Sequence, residues 1–349
     1  MNVRILVVAP SPKTRGGITS VVKAHQSTYI WSKWNCKWIS TYVDRSSFLK
    51  IAYAICGYMN FLFFLPFSNI IHIHFSEKTS AFRKNIFLNT SKLFKKKVIL
   101  HFHSFSPETT INGKKKDLYR KMFEKIDKIV VLSKYWEDQL LLSFPNLSNK
   151  INILYNPCPR ITINKEIKKE NFILYAGTLN ERKGYADLIR AFSQIAFKNR
   201  DWKLVFAGNG EIENAKSLSN ELKISDQVVF LGWVSGEKKD EIFNSSSIFC
   251  LPSYNEGFPM AVLDAWAYGL PVITTPVGGL PDILEHNKNA LVFESGDINK
   301  LAQNLDNLIN NELLRETLSN ASKDISMNIF NIENIASDLD KIYLTIYNE

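Results

Sequence analysis

The stretch SYNEGFPMAVLDAWAYGLPVITTPVGGLPDIL, from Ser253 to Leu284, decides how this chain folds. The apolar run IFCL, separated from it by Pro252 alone, predicts a buried strand. Residues 260–268 then predict a helix, which Gly269 ends, with Pro271 just beyond. The run PVITT predicts a further strand. Strands that alternate with helices in this way are typical of a parallel sheet with crossover helices.

The same alternation recurs along the whole chain. Apolar runs that predict strands number five in the first half and six in the second. They are VRILVVA, NIIHIHF, VILHFH, KIVVLS and INILYN, then FILYAG, KLVFAG, VVFLGWV, IFCLPS, PVITT and ALVF. Two sets of this size favour an α/β protein with two Rossmann-like domains over one large sheet.

A proline pair followed by a charged run predicts the linker between these domains. Asn156-Pro157-Cys158-Pro159 precedes the polar stretch ITINKEIKKEN, and such stretches commonly mark domain boundaries. We therefore expect one domain over residues 1–160 and another over 161–331. Residues 332–349 have apolar side chains at helical spacing, and we expect this amphipathic helix to pack back on the first domain.

Composition excludes several classes of protein. The 349 residues are 45% hydrophobic and 22% charged, which excludes a disordered chain or a fibrous repeat. The four cysteines lie far apart without a C-x-x-C pair, which argues against a disulfide scaffold or a zinc site and suits a cytoplasmic protein. The first ten residues lead straight into a strand, so we expect no signal peptide.

The charge is distributed unevenly between the two halves. Up to Lys165 there are 26 basic and 8 acidic residues, whereas from Glu166 onward there are 17 basic and 26 acidic ones. A basic half favours anionic phosphates as partners, either on a membrane surface or on a substrate. Nucleic acid is a third option, but no binding motif supports it. Lys95–Lys97 and Lys114–Lys116 are the candidate lipid-facing clusters.

Residues 51–76 contain no charged side chain, which raises the question of a membrane span. Pro66 and the dipeptide after it divide the run into a helix and a strand. The helical part, about 15 residues, is short against the roughly 20 that a bilayer requires. We expect a helix packed in the core, with one face in reach of lipid, and a protein attached peripherally to the membrane.

Two carboxylates flank the start of the helix that follows Pro259. Glu256 lies in the loop before the helix, and Asp264 lies one turn inside it. The backbone amides of Gly257, Phe258 and Met260 precede or open the helix, where an anion is favoured, whereas Pro259 has no amide hydrogen. Carboxylates repel phosphate, so they are expected to bind hydroxyl groups. The pattern indicates a sugar on one side of a diphosphate and a ribose on the other.

Further loops at predicted strand ends are candidates for the same ligand. Arg182 and Lys183 follow the strand FILYAG, where two cations can neutralise a diphosphate, although a solvated surface pair is the commoner case. The turn Gly208-Asn209-Gly210 is expected on the nucleotide side, with the base near Val234. Gly16-Gly17 precedes the first helix, where exposed amides suit a phosphate or a sugar hydroxyl.

The six histidines include two pairs at i, i+2 spacing, which places each pair on one face of a strand. They are His72 with His74 and His101 with His103. A metal cluster is conceivable, but no carboxylate or cysteine adjoins them, and we expect none. His103 ends its predicted strand and is therefore expected at the ligand edge of the sheet, whereas His101 is expected to be structural.

The segment E-G-F-P-M-A-V-L-[DE]-A-x-A-x-G-x-P-V resembles the group 1, family-4 glycosyltransferases of the GT-B fold. Lys183-Gly184 upstream and Gly16-Gly17 near the start extend the resemblance over essentially the whole chain. The Glu256 segment is highly specific, whereas the glycine pair is weak. The resemblance implies two Rossmann-like domains that face each other across a cleft. It also implies transfer of a sugar from a nucleotide donor with retention of configuration and without an essential metal or cofactor.

The resemblance also assigns roles to single residues. Glu256 takes the position that binds donor-sugar hydroxyls, and Lys183 the position that binds the diphosphate. Asp264 takes the place of a glutamate that binds ribose, and it is one methylene shorter. His103 matches the histidine that faces the reacting sugar. Thr178 replaces a common arginine, for which Arg182 is a candidate substitute.

Together these observations predict a glycosyltransferase that uses a nucleotide sugar, with UDP as the expected base, in surface-polysaccharide synthesis of the O-antigen or capsule type. The acceptor is expected to be a saccharide, lipid-linked at the inner face of the cell membrane. Two alternatives remain open at this point: a nucleotide-sugar epimerase or phosphorolytic enzyme of the same fold, and a non-catalytic protein that binds nucleotide sugars.

Overall fold

The computed structural model describes residues 4–76, 79–103, 107–161, 163–164 and 166–349. The chain forms two units. Unit 1 comprises Met1–Pro157 with Ile332–Glu349, and unit 2 comprises Cys158–Asn331. Each unit contains a six-stranded sheet in which all neighbouring strands are parallel. The predicted α/β class with two Rossmann-like domains is confirmed.

The sheet of unit 1 has the strand order β2-β1-β3-β4-β5-β6. Its strands are β1 Ile5–Ala9, β2 Lys37–Ser40, β3 Ile70–Phe75, β4 Lys97–Phe102, β5 Lys128–Val131 and β6 Ile151–Ile153. Five of them coincide with predicted runs, and β2 was missed because its sequence, KWIS, is short and only partly apolar. The strand order reverses between β1 and β3, and ligands commonly bind at such a point in open α/β sheets.

Helices cover both faces of this sheet, as parallel sheets require. They are α1 Gly17–Gln26, α2 Tyr29–Lys33, α3 Ser47–Phe64, α4 Thr79–Leu93, α5 Pro107–Thr110, α6 Lys116–Lys125 and α7 Lys134–Ser143. Because β2–β3, β3–β4 and β4–β5 are successive right-handed crossovers in one direction, α3, α4 and α6 belong on one face of the sheet. The connection from β1 to β2 runs the other way, which places α1 and α2 on the opposite face.

The sheet of unit 2 has the strand order β12-β11-β10-β7-β8-β9. Its strands are β7 Phe172–Ala176, β8 Lys203–Ala207, β9 Val228–Phe230, β10 Ile248–Leu251, β11 Val272–Thr274 and β12 Leu291–Val292. Its helices are α8 Tyr185–Ser193, α9 Ile212–Glu221, α10 Glu237–Ser245, α11 Met260–Ala267, α12 Ile298–Asn310 and α13 Glu312–Asn328. This is the Rossmann order of two three-strand halves that meet at β7 and β10.

The last helix, α14 (Ile332–Asn348), belongs to unit 1. Its apolar side chains enter the same hydrophobic core as residues of β1, β3, β4 and β5. Two polar contacts fix its position on the sheet, because Asp340 accepts a hydrogen bond of 2.6 Å from the Trp34 indole and pairs with Lys33 at 2.6 Å. The helix therefore lies on the same sheet face as α1 and α2 and covers the part of it that they leave open.

Helix α3 corrects the sequence prediction in two ways. It begins at Ser47, before the uncharged run, and it is not packed in the core: its fully buried residues are Gly57 and Phe61. Gly57 allows a close approach to β2, since a Cβ there would lie 2.2 Å from the Ser40 carbonyl oxygen. Among the described residues, Ser47–Phe67 is the one helical segment long and apolar enough to cross a bilayer. Of its apolar 18-residue stretch, 17% is buried inside the protein.

Four histidines of β3 and β4 form a stack inside unit 1. The rings of His72 and His74 lie 4.3 Å apart, and those of His101 and His103 lie 4.1 Å apart. His72 Nδ1 is 2.6 Å from the Tyr343 hydroxyl of α14, and its Nε2 is 3.3 Å from His101 Nδ1. Ligand atoms of three of the rings come within 4.8 Å of one another. The rings are stacked rather than convergent, so we interpret the group as part of the core.

Burial lowers the pKa of every histidine in this region. The pKa of His25 falls to about 4 and that of His103 to about 3, and those of His72, His74 and His101 fall well below 6.5. The main cause in each is desolvation of the charged ring, with repulsion between neighbouring histidines added for all but His25. The native core therefore holds neutral imidazoles.

We predict that acid weakens unit 1 between pH 6.5 and about 4, the two pKa values of His25 in the unfolded and native states. In that window the unfolded chain binds protons that the native core rejects, so the free energy of unfolding falls by about 1.4 kcal/mol per pH unit for each histidine. Urea unfolding at several pH values measures the slope. His25→Leu removes one of these titrating groups and should therefore make the slope shallower. The change breaks no described hydrogen bond, because neither ring nitrogen of His25 has a described partner. An unchanged slope in this variant would contradict the assignment.

Candidate functional site

The site of unit 2 lies where the strand order of its sheet reverses. Strands β7 and β10 are neighbours there, with Ile173 and Leu174 paired to Ile248 and Phe249. Because the strands are parallel, the loops that follow them emerge at the same edge of the sheet. The loop after β7 carries the predicted cations, and the loop after β10 carries the predicted carboxylate, so the topology brings them together.

Glu256 is the centre of this arrangement. Lys183 Nζ lies 2.8 Å from Glu256 Oε1, and the Arg182 guanidinium lies 3.4 Å from Oε2. The Ser253 hydroxyl donates a hydrogen bond of 2.9 Å to Oε1. The Glu256 side chain is 9% exposed and that of Lys183 is 15% exposed, whereas Arg182 is half exposed. The cluster is thus a mostly buried carboxylate with two cations and a hydroxyl.

The surroundings of Glu256 keep it ionised. Burial alone would raise the pKa of its carboxyl, but Lys183, Arg182 and the hydrogen bonds from Lys183 and Ser253 outweigh burial and lower that pKa below its ordinary value. An ionised carboxylate accepts hydrogen bonds and donates none. Glu256 can therefore accept hydrogen bonds from hydroxyl groups, but it cannot supply a proton.

Backbone contacts hold the Glu256 loop against its neighbours. The Tyr254 amide donates to the Arg182 carbonyl at 2.8 Å, and the Arg182 guanidinium donates to the Asn255 carbonyl. The Gly279 amide donates to the Gly257 carbonyl at 2.8 Å. Gly278, at φ +65°, lies so close that a Cβ would come within 2.4 Å of the Glu256 carbonyl oxygen. The glycine pair after β11 therefore fixes the shape of the loop.

The turn after β8 packs against the loop after β7. A Cβ on Gly208 would lie 1.7 Å from the Gly177 carbonyl oxygen, and one on Gly210 would lie 2.3 Å from that of Leu179. These glycines are thus required by packing between two loops. Asn209 connects the turn to the loop after β9 by accepting a hydrogen bond of 2.9 Å from the Trp233 amide.

The other predicted residues of unit 2 lie around this edge. Val234 is half-buried in the loop that Asn209 holds. The Phe258 side chain is buried against Phe330, with ring centroids 5.4 Å apart. Pro259 caps α11, and Met260 is its first residue. The amides at that end therefore precede the first internal helix hydrogen bonds.

Asp264 has a partner of its own on α10. Lys239 Nζ lies 2.7 Å from Asp264 Oδ1, and the Asp264 side chain is 16% exposed. Burial, with a smaller contribution from Asp240, raises the pKa of Asp264 although Lys239 opposes the shift. The structure thus pairs Asp264 with Lys239, and a hydroxyl ligand would have to share or replace that contact.

The predicted residues of unit 1 follow β1 and β4 of its sheet. Gly16 and Gly17 are exposed at the start of α1, at the end of the loop that follows β1, and Gly16 has φ +143°. His103 is the first residue beyond β4, not its last, and its Nε2 lies 2.8 Å from His74 Nδ1. With its pKa lowered to about 3, His103 is a neutral hydrogen-bonding group at neutral pH.

Several residues that support the site were not among those predicted from the sequence. Ser253, Gly278 and Gly279 lie within the quoted stretch, and the repeated glycine was a usable signal because a tight approach of two loops demands it. Lys239 gave no such signal, and the sequence paired His74 with His72 and not with His103. Their partners, Asp264 and His103, are distant in sequence, so only the fold identifies the pairs.

A family model and several known proteins match part of this chain in sequence. Residues 160–325, within unit 2, match the family model of glycosyl transferases group 1, which confirms the group 1 part of the predicted resemblance over that segment. An uncharacterized glycosyltransferase of Haemophilus influenzae is 34% identical over 222 residues, which are 61% of this chain and 60% of that protein. The capsular polysaccharide biosynthesis glycosyltransferase CapM of Staphylococcus aureus is 31% identical over 187 residues, which are 53% of this chain and 49% of CapM.

The matched part of the chain therefore spans between half and three fifths of the length of these two relatives. Solved structures cover more of it. HepE of Anabaena, in complex with UDP, has a TM-score of 0.76 to this chain at 14% identity, over 98% of this chain and all of HepE. At that identity the likeness shows the fold alone, and the predicted GT-B fold is confirmed.

We predict that Lys183→Ala destabilises unit 2 by about 1–3 kcal/mol, because it leaves the buried Glu256 without its nearest cation. The pKa of Glu256 should rise, so the loss should shrink as the pH is lowered and the carboxyl becomes neutral. Urea unfolding of Lys183→Ala and of the double variant with Glu256→Gln tests this. The double variant should recover part of the lost stability. Equal stability of wild type and Lys183→Ala at pH 7 would contradict the ion pair.

Proposed function

We propose that this protein is a retaining glycosyltransferase that moves a sugar from a nucleotide-sugar donor to a saccharide acceptor. The observation that carries the proposal is the cluster of Glu256, Lys183 and Arg182 at the β7–β10 edge. A carboxylate and two cations in contact suit a ligand that presents hydroxyl groups and a diphosphate side by side. A nucleotide sugar has this chemistry.

Donor binding would exchange partners within the cluster. Lys183 and Arg182 would turn to the diphosphate, where each charge-assisted hydrogen bond is worth about 1.5–3 kcal/mol. Glu256 would accept hydrogen bonds from the sugar hydroxyls in return. The amides of Gly257 and Met260 lie at the start of α11, which favours the same anion. Each group would leave one partner and gain another, so no charge would be left unpaired.

UDP is the base that we propose for the donor, carried by a hexose or an N-acetylhexosamine. HepE, which shares the fold, has been crystallised with UDP and with UDP-glucose. The loop that contains Val234, held by Asn209, is the expected position for the base, and Asp264 for the ribose. A thermal-shift panel of UDP, GDP and ADP with their sugars tests the choice, since a ligand stabilises the fold that binds it.

The proposed reaction forms a bond between the acceptor oxygen and the anomeric carbon and breaks the bond from that carbon to phosphate. Attack from the side of the leaving group retains the configuration, and the departing phosphate oxygen takes the proton of the acceptor hydroxyl. Lys183 and Arg182 stabilise the negative charge that develops on the diphosphate. Glu256 and the neutral His103 orient the sugar, as the resemblance implies.

We propose that the acceptor is lipid-linked and that the protein works in surface-polysaccharide synthesis, peripherally at the cytoplasmic face of the cell membrane. The basic first half of the chain and the similarity to CapM support this. A lipid-linked saccharide pyrophosphate presents an anion at the membrane surface, and a basic unit is suited to meet it.

Glu256→Gln should reduce sugar transfer at least a hundredfold, because the amide loses the charge that accepts hydrogen bonds from the sugar. Binding of UDP should stay within a few-fold of wild type, since the phosphate partners remain. UDP release from a panel of UDP-sugars, with and without lipid-linked saccharide, measures transfer, and calorimetry measures binding. Transfer within tenfold of wild type would overturn the role of Glu256. Conversion of the donor without any acceptor would indicate an epimerase or a hydrolase instead.

We also expect EDTA to leave transfer unchanged. The two cations at Glu256 supply the positive charge that a metal ion would otherwise bring to the diphosphate. The one D-x-D sequence, Asp338-Leu339-Asp340, lies on α14, where Asp340 is occupied by Lys33 and Trp34. Loss of transfer in EDTA, restored by added Mg²⁺ or Mn²⁺, would overturn the metal-free reaction.

A further inference from the structure

Helix α3 presents an apolar face to solvent. Five large hydrophobic side chains, spaced three or four residues apart, are 60–78% exposed: Phe48, Ile51, Ile55, Met59 and Phe63. At about 100° per residue they fall within an arc of roughly 120°. The buried Gly57 and Phe61 lie on the opposite side of the helix.

Helix α4 continues this surface. Its Phe82, Ile86 and Leu93 are exposed and lie on one helix face, at spacings of four and seven residues. The two helices pack side by side, since the Tyr58 and Thr90 hydroxyls are 2.9 Å apart and the rings of Phe61 and Phe87 are 5.0 Å apart. The eight exposed side chains of α3 and α4 are named the α3–α4 face below.

The charges around the α3–α4 face are mostly positive, and the exposed Asp44 before α3 pairs with Lys50 at 3.7 Å. Neither helix contains an Asp or a Glu. Exposed basic residues lie just beyond the helices, Arg45 before α3 and Lys95 after α4. Lys37 Nζ lies 3.8 Å from the ring centroid of Phe64 at the end of α3, and the Arg4 guanidinium lies 5.6 Å from it.

Helix α6, on the same side of the sheet, adds further cations. Its Lys125 reaches α4 with a hydrogen bond of 2.7 Å to the Asn89 side chain. Lys114 and Lys115 are exposed directly before it. An apolar face with cations around it is complementary to a bilayer with anionic headgroups above its acyl chains.

The fold keeps α3 on this surface and excludes a span. The helix connects β2 to β3, which belong to one sheet, so both of its ends stay with unit 1. Gly57 holds its middle against Ser40. With 18 residues the helix is about 27 Å long, and it could cross a bilayer only if the sheet came apart.

We propose that the α3–α4 face is a membrane-docking surface that enters the headgroup boundary of an anionic bilayer with α3 parallel to the membrane. The apolar side chains enter the boundary between headgroups and acyl chains, and the surrounding lysines and arginines contact lipid phosphates. The inference deepens the proposed function, because it assigns the membrane contact of that enzyme to named residues of unit 1.

Vesicle binding of the full chain, without donor or acceptor, tests the surface. Wild type should float with phosphatidylethanolamine–phosphatidylglycerol vesicles and bind phosphatidylcholine vesicles at least tenfold more weakly. Molar salt should weaken anionic binding, because screening shortens to about 3 Å. The triple variant Ile51→Ser, Ile55→Ser, Met59→Ser keeps every charge and should lose at least tenfold in binding. The control Leu142→Ser, Leu313→Ser removes even more exposed apolar side chains elsewhere and should bind as wild type.

Thermal unfolding of the triple variant should match wild type, since the changed side chains are exposed. A fluorophore on the exposed Cys56 of α3 should shift to the blue with anionic vesicles. Binding of the triple variant equal to wild type would overturn the inference. So would a wild-type dimer that the same changes convert to monomer with vesicle binding intact, because the face would then be an interface between copies. Either result leaves the transfer reaction, measured with a soluble acceptor, standing.

Discussion

A carboxylate that is nine-tenths buried must have a partner, and Glu256 organises unit 2 for this reason. Removing an ion from water costs several kcal/mol unless opposite charges and hydrogen bonds offset it. Lys183, Arg182 and Ser253 provide that offset, and they come from two loops that only the β7–β10 pairing brings to one edge. The glycines at 184 and 278 follow from it, since a Cβ at either would lie within 2.5 Å of a carbonyl oxygen in or beside the Glu256 loop.

With one carboxylate and two cations, the cluster at Glu256 carries a net charge of +1 when nothing is bound. The carboxylate that suits a sugar is paired with the cations that suit a diphosphate. Before a ligand binds, these groups therefore serve as partners for one another. A ligand with only one of the two features would leave an unpaired charge behind. Discrimination of this kind resides in the protein's own ion pairs and does not need additional contacts.

The sequence predicted most of the fold, because buried parallel strands are short apolar runs. All eleven predicted runs are strands, and Met260–Ala267 is a helix that ends before Gly269, which has φ +65°. The failures have physical causes. Strand β2 is too short and polar to stand out, and α3 has the composition of a core helix although the fold exposes it. The contacts of Lys239 with Asp264 and of His74 with His103 were missed because these partners become neighbours only through helix packing and strand order.

The position of α14 has a consequence for how the chain is made. Unit 2 is continuous in sequence, whereas unit 1 needs a segment that is synthesised after all of unit 2. Until Ile332–Asn348 leaves the ribosome, Ile5, Val7 and Ile99 lack part of the cover that α14 gives their side of the sheet. Domains generally fold as units during synthesis. Unit 2 can therefore finish folding before unit 1, although unit 1 begins earlier in the sequence, because unit 1 lacks its last helix until the end of synthesis.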